Sequence, residues 1–145
     1  MTTNIQAPAQ AGNKTATRPG KKITIAPSVV LFAGWLVPGA GHLLLGKWIR
    51  AVLLLVSIVA MFSIGISLQG KIYVPSSGDP LDILGFAGDL GAGALYLLAR
   101  LFDLGHAPVL TAFADYGTKF IVVAGLLNLV AAVDAHSLAT GRKQS

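Results

Sequence analysis

The chain has 145 residues, of which 54% are hydrophobic and only 12% are charged, with a formal net charge of +5 and a mean hydropathy of +0.70. Soluble domains carry about twice this charged fraction, so the composition predicts that lipid covers part of the protein surface. The lack of cysteine in the sequence excludes disulfides, thiolate nucleophiles and thiolate metal sites.

We predict an all-α fold, an integral membrane helical bundle, divided into three regions. Residues 1–26 are polar and without periodicity, which predicts a disordered cytoplasmic tail. Residues 27–138 form a transmembrane helical domain, and residues 139–145 form a short basic tail. The domain contains four apolar segments, each near the length of about 20 residues that a helix needs to cross the hydrocarbon. They run from 27 to 45, from 49 to 68, from 81 to 102 and from 119 to 133.

Two topologies fit these segments. Four transmembrane helices with a cytoplasmic N-terminus place seven of the eleven Lys and Arg residues inside. The alternative has three spans plus a re-entrant first segment that turns back at Pro38 and Gly39, with eight of these residues inside. We favour four spans, because a re-entrant loop needs protein or water to satisfy its freed backbone groups. Both topologies place His42 and Asp134 at opposite membrane faces, which argues against a site that joins them.

The most distinctive motif is PGAGHLLLGK, which begins at Pro38. Gly39 and Gly41 permit close backbone approach, and Gly46 permits a tight turn into the next helix. Two interpretations of His42 follow: a proton carrier or ligand at a helix break, or a side chain that is hydrogen-bonded to a neighbouring helix. We favour the second, because no other ligand is suitably spaced for His42.

This motif resembles the PGxGH…GK hairpin of small bacterial membrane proteins related to the two-transmembrane-helix domain family. The end of the chain is similar to the closing block of an uncharacterised bacterial four-helix membrane family, of unknown function. The similar stretches are DYG from Asp115, AGLLNL from Ala124, the pair Asp134-Ala135, and GRK from Gly141. The resemblance implies a helical membrane fold in the bacterial inner (cytoplasmic) membrane, and it implies no activity and no catalytic residue.

Asp89 is the only charge deep inside an apolar segment, where a charge marks either a packing pair or a functional site. Asn128 lies at a similar depth if the third and fourth segments are consecutive spans. We therefore predict a hydrogen bond between Asp89 and Asn128, with a proton or cation relay as the functional alternative. Asp134, at the inner end of the last segment, is a candidate for pairing with a basic group of the tail or for binding a cation.

Four glycines give the third segment a small-residue surface: Gly85, Gly88, Gly91 and Gly93. In lipid, such surfaces let helices approach closely. This surface serves either packing within the chain or association with a partner protein or a second copy, and the sequence leaves both interpretations open.

The sequence contains no nucleophile–base set, cofactor motif or metal-ligand spacing, so we predict no catalytic, cofactor-binding or metal residues and no enzymatic activity. The leading hypothesis is a non-catalytic scaffold or accessory subunit that packs through its glycine-rich helix faces. The alternatives are a small transporter or channel component that uses Asp89, and a membrane enzyme. The expected partners are the lipid bilayer and a membrane protein or second copy. Nucleic acid is not expected, because no basic face with base-reading groups is visible.

Overall fold

The computed structural model describes residues 25–74, 80–105 and 112–142, and within these ranges all regular structure is helical. The elements in chain order are α1 (Pro27–Leu36), α2 (Ala40–Leu44), α3 (Trp48–Ser67), α4 (Pro80–Gly91), α5 (Ala94–Leu101) and α6 (Ala112–Ala139). Two of the described helices, α3 and α6, are long and apolar enough to cross a membrane, and the bent pair α4 and α5 adds a third span if it counts as one. The fold fits a helical membrane protein, but the described helices supply two or three candidate spans and do not confirm four.

α3 and α6 form the central antiparallel pair. At 1.5 Å per residue, the 20 residues of α3 extend about 30 Å and the 28 residues of α6 about 42 Å. The end of α3 packs closely on the start of α6, since a methyl group on Gly65 would lie 2.8 Å from the Gly117 carbonyl oxygen. Ile58 and Phe62 of α3 are buried beside Ile121 of α6. The pair therefore supplies the surface on which the shorter helices pack.

The first apolar segment folds back on itself instead of forming one long helix. Val37 is extended, as expected for the residue before Pro38, and Gly39 has a φ of +80°. A Cβ on Gly41 would lie 2.9 Å from the Val30 carbonyl oxygen, although eleven residues of continuous helix would span about 16 Å. The fold-back agrees with the re-entrant alternative for this segment and does not support the spanning first helix that we favoured.

The third apolar segment is also broken, with α4 and α5 meeting at an angle of 108°. The break lies at Gly93, whose φ of +59° is unfavourable for other residues. Both outer ends of the pair contact the connection that follows α3: Lys71 Nζ lies 3.8 Å from Asp82 Oδ1, and the Ile72 N–H donates to the Gly105 carbonyl at 3.0 Å. The chain thus enters and leaves this bent pair at the same end of the molecule.

The fourth segment is longer than predicted, since α6 continues from Ala112 to Ala139. Its outward positions carry large exposed apolar side chains, as do those of α3, which include Val52, Leu53 and Val56. Contiguous exposed apolar surface of this kind is typical of contact with lipid or with another protein. The predicted tail and C-terminal residues 1–24 and 143–145 lie outside the described residues.

Candidate functional site where the two broken helices meet

The tip of the α1–α2 hairpin meets the break between α4 and α5 beside α6. A Cβ on Gly93 would lie 2.8 Å from the Leu36 carbonyl oxygen and would overlap the Trp35 carbonyl oxygen. The Trp35 indole Nε1–H donates to the Leu90 carbonyl at 3.1 Å, which adds a second link between the two tips. The C-terminal ends of α1 and α4 therefore converge at one place, next to the middle of α6.

Asn128 of α6 holds the two helix ends together. Its side chain is completely buried, and Nδ2 donates to the Trp35 carbonyl at 2.8 Å and to the Gly91 carbonyl at 2.9 Å. Carbonyls in the last turn of a helix lack partners within the helix, so the amide satisfies two groups that burial would otherwise leave unpaired. Asn128 Oδ1 is buried with no hydrogen-bond partner in the described part of the chain.

Asp89 lies in the last turn of α4 and is completely buried. Its Oδ2 accepts a hydrogen bond of 2.7 Å from the Tyr73 backbone N–H, which ties the connection before α4 to the helix interior. Its Oδ1 has no hydrogen-bond partner among the described residues. Burial of a carboxylate with no paired cation is unfavourable, so this oxygen is an unusual feature of the interior.

The predicted hydrogen bond between Asp89 and Asn128 is wrong. The prediction assumed consecutive antiparallel spans, whereas α4 runs in the same direction as α6: Gly88 packs on Val122, and three residues later Gly91 packs on Gly125. In this register Asp89 is level with residue 123 of α6. It therefore lies about 7 Å from Asn128 along the helix axis, and its carboxylate contacts the Tyr73 segment instead.

The expectation that His42 and Asp134 lie at opposite faces is also wrong. His42 Nε2 lies 3.2 Å from Asp134 Oδ2, with His42 only 2% exposed and Asp134 30% exposed. The fold-back brings α2 to the C-terminal end of α6, where Gly41 packs on Ala135. The hydrogen bond that we favoured for His42 is thus present, with α6 as the neighbouring helix. Next to it, His136 Nδ1 donates to the Pro27 carbonyl at 3.0 Å and fixes the start of α1.

The other residues of the PGAGH motif shape this hairpin. Gly39 lies against the backbone of Ala51 in α3, where a Cβ would overlap the Ala51 carbonyl oxygen. Gly46 has a φ of +74° and no neighbour within 4 Å of a Cβ position, so its turn conformation alone favours glycine there. Pro38 lies between the two helices and cannot donate a backbone hydrogen bond.

The glycine-rich surface of α4 is used within the chain. Gly85 lies against the Tyr73 ring, Gly88 against Val122 and Gly91 against the Gly125 backbone. Of the two interpretations that the sequence left open, internal packing accounts for these positions and for Gly93. A partner protein therefore cannot use the same face without separating α4 from α6.

No group of three or more His, Cys, Asp or Glu side chains in the described ranges is placed to hold a metal ion. Three polar features lie at separate places in the described chain: the Asn128 link between helix ends, the Asp89 carboxylate, and the His42–Asp134 pair. Sequence reasoning selected all four residues but did not predict their partners. The tip-to-tip contact of Trp35 was not predicted, although the position of its indole in the middle of the first apolar segment favours the re-entrant alternative or a buried packing role.

Residues 29–144 match the model of a family of unknown function (DUF6677). The chain belongs to this family. The match covers all the described helices except the first two residues of α1, and so includes both tips and the His42–Asp134 pair. The comparisons with curated proteins and with solved structures gave no match. Membership in the family assigns no activity to these residues.

Proposed function

We propose that the protein is a small transporter or channel component of the membrane that binds a proton or small cation at Asp89. The observation that carries the proposal is the completely buried carboxylate of Asp89, whose Oδ1 has no partner among the described residues. Ionisable side chains inside membrane segments are rare and commonly mark ion or proton pathways. A bound cation would neutralise the carboxylate and offset the unfavourable burial.

The electrostatics of the two helix ends support a cation at this place. The C-terminal end of a helix carries a partial negative charge, and the C-termini of α1 and α4 converge beside Asn128. In secondary transporters, the C-terminal ends of broken helices and unwound carbonyls coordinate cations near the middle of the bilayer. Asn128 Oδ1 is a second buried oxygen without a partner in the described chain. Asp89 of α4 and Asn128 of α6 are separated by about 7 Å in the direction of the α6 axis. We therefore propose two successive oxygen-lined positions rather than one shared site.

The proposed topology has two full spans, α3 and α6, with the α1–α2 hairpin and the α4–α5 pair entering from opposite faces. Eight of the eleven Lys and Arg residues are found before α1, between α2 and α3, in the first turn of α3, or after α6 in the sequence. The remaining three, Lys71, Arg100 and Lys119, lie toward the opposite end. The positive-inside rule then favours a cytoplasmic N-terminus. The resemblance of the PGAGHLLLGK motif to bacterial membrane proteins supports a bacterial inner membrane as the location.

A flux measurement tests the proposal. The purified full-length chain is reconstituted in liposomes with opposed sodium, potassium and proton gradients, and ion movement is followed with dyes inside the vesicles. Asp89→Asn removes the charge but keeps an oxygen that accepts the Tyr73 hydrogen bond, so we expect loss of flux with unchanged folding. Asp115→Asn is the matched control, because Asp115 is exposed and pairs with Lys119 four residues later. Equal flux in the wild type and the Asp89→Asn variant, or none above empty liposomes, contradicts the proposal.

The scaffold or accessory-subunit hypothesis is the second candidate, and it needs a different surface from the one first expected. The exposed apolar side chains on α3, including Val52, Leu53 and Val56, favour contact with either lipid or a membrane partner. A pull-down of the tagged chain in mild detergent separates these cases. A stoichiometric protein partner supports the accessory role, and a lone protein or homo-oligomer contradicts it.

We also propose that the protein is not an enzyme. The His42–Asp134 pair is the arrangement that most resembles a catalytic one, and His42 is only 2% exposed, which leaves little access for a substrate. The two groups link two helices, so their geometry supports a structural role.

A further inference from the structure

An apolar groove runs along the outside of α3 at its N-terminal half. It has a volume of about 200 Å³ and is lined by residues 37–40 at the hairpin turn and by Leu43. On the α3 side its walls are Trp48, Ala51, Val52 and Leu55. Trp48 and Leu55 are seven residues apart, so the groove extends about 10 Å along the helix. One end of the groove lies at the turn of the α1–α2 hairpin. The opposite end lies at Trp48, which is 67% exposed.

A second depression, with a cationic lining, lies beside the groove at its Trp48 end. It is lined by Lys47, Trp48, Arg50 and their neighbours, so that Trp48 borders both features. Within the described part of the chain, neither Lys47 nor Arg50 forms an ion pair. The first turn of α3 contains no acidic residue and receives no side-chain cap, so the positive end of the helix faces the same place.

We propose that this groove is a binding site for one anionic glycerophospholipid. An acyl chain lies between α2 and α3, the glycerol backbone lies beside Trp48, and Lys47 and Arg50 contact the phosphate. The charges match this occupant because an apolar tail with a negative end complements an apolar groove with a positive end. Tryptophan side chains favour the boundary between hydrocarbon and headgroups, which is where Trp48 then lies.

Lipid fits better than a protein segment because the apolar groove ends beside Lys47 and Arg50, and an acyl chain joined to a phosphate matches both features. Val52 lines the groove and Val56 lies one turn further along α3, at 51% and 60% exposure, so lipid reaches the groove without displacing protein. An end of the molecule that is rich in Lys and Arg also faces the anionic leaflet in the proposed topology. The lipid site requires neither ion flux nor Asp89, so the lipid-binding proposal and the proposed function are tested independently.

Native mass spectrometry of the purified full-length chain tests the site, with phosphatidylglycerol and phosphatidylcholine of identical acyl chains as probes. We expect one phosphatidylglycerol to bind more tightly than phosphatidylcholine, with an affinity that falls as salt is raised. A Lys or Arg near an anionic membrane surface contributes about 1 kcal/mol. Lys47→Gln and Arg50→Gln should therefore each weaken phosphatidylglycerol binding about fivefold.

Arg142→Gln is the matched control, because it removes one exposed positive charge from the same end of the molecule without touching the groove. Val52→Trp fills the groove and should weaken both lipids, while helix content by circular dichroism stays unchanged. Should Val52→Trp not fold, the Lys47→Gln and Arg50→Gln variants still decide the question.

Three results would overturn the inference. The first is equal binding of the two lipids by the wild type. The second is an Arg142→Gln effect as large as those of Lys47→Gln and Arg50→Gln. The third is displacement of phosphatidylglycerol by equimolar glycerol phosphate, which would show that the site recognises a free anion and that the groove contributes nothing.

Discussion

His42 Nε2 and Asp134 Oδ2 lie 3.2 Å apart, although 92 positions separate the two residues in the sequence. The contact joins α2, the returning arm of the first hairpin, to the last turns of α6. Next to it, the hydrogen bond between His136 and the Pro27 carbonyl joins the same part of α6 to the start of α1. Both arms of the hairpin are thus tied to one end of one helix, and this closes the hairpin.

The His42–Asp134 hydrogen bond should stabilise the fold measurably. Asp134→Leu leaves a buried imidazole without its acceptor, so we expect the free energy of unfolding to fall by about 1–3 kcal/mol. Asp134→Asn keeps an oxygen that accepts from His42 and should lose less. Unfolding of the detergent-solubilised protein, followed by circular dichroism, gives the comparison.

Ser137→Ala is the control on the same helix, because the Ser137 hydroxyl donates only to the Val133 carbonyl of its own helix at 3.0 Å. If Asp134→Leu is as stable as Ser137→Ala, the pair contributes no stability and the hairpin is held by packing alone.

The fold should require the Asn128 side chain as a hydrogen-bond donor, so that a side chain of the same shape without the donor does not replace it. Asn128→Ala removes two hydrogen bonds, to the Trp35 and Gly91 carbonyls, and should lower the free energy of unfolding by about 1–3 kcal/mol. Asn128→Asp keeps the shape but directs a carboxylate at two carbonyl oxygens, so we expect a larger loss. Unfolding curves measure both losses. Trp35 emission in a Trp48→Phe background reports whether the two tips separate. An Asn128→Asp variant as stable as the wild type would show that donation is not what holds the helix ends.

The sequence was sufficient for the helical class, for a break at Pro38 and Gly39, and for the importance of the α4 glycines, but the fold-back at that break was only the less favoured alternative. The sequence was not sufficient for the direction of α4 relative to α6. A re-entrant helix and a spanning helix bury the same kinds of apolar side chain, so hydropathy does not separate them. The His42–Asp134 and Asn128–Trp35 contacts both depend on whether the broken segments are re-entrant or spanning. The topology that we favoured treats these segments as spans, so it does not bring the paired residues together.

Gly93 should tolerate no side chain, whereas Gly46 should tolerate one at moderate loss. Both have positive φ, +59° and +74°, and a left-handed conformation costs other residues about 1–2 kcal/mol. A Cβ on Gly93 would also overlap the Trp35 carbonyl oxygen, whereas one on Gly46 meets nothing within 4 Å. We expect Gly93→Ala to lose about 3–5 kcal/mol and Gly46→Ala about 1–2 kcal/mol. Thermal unfolding in one detergent compares them directly, and equal losses would mean that the two tips do not touch.

Accessibility of single cysteines should decide the topology, because the natural chain contains none. Ser67→Cys marks the end of α3, Leu104→Cys follows α5, and Thr140→Cys follows α6, all at exposed positions. With two full spans, a membrane-impermeant maleimide applied to intact cells labels Ser67→Cys and Leu104→Cys but not Thr140→Cys. Four spans with a cytoplasmic N-terminus would expose Leu104→Cys alone. Three spans would expose Ser67→Cys and Thr140→Cys. The three arrangements thus give three different labelling patterns, and labelling of lysed cells confirms that each cysteine reacts once the membrane is open.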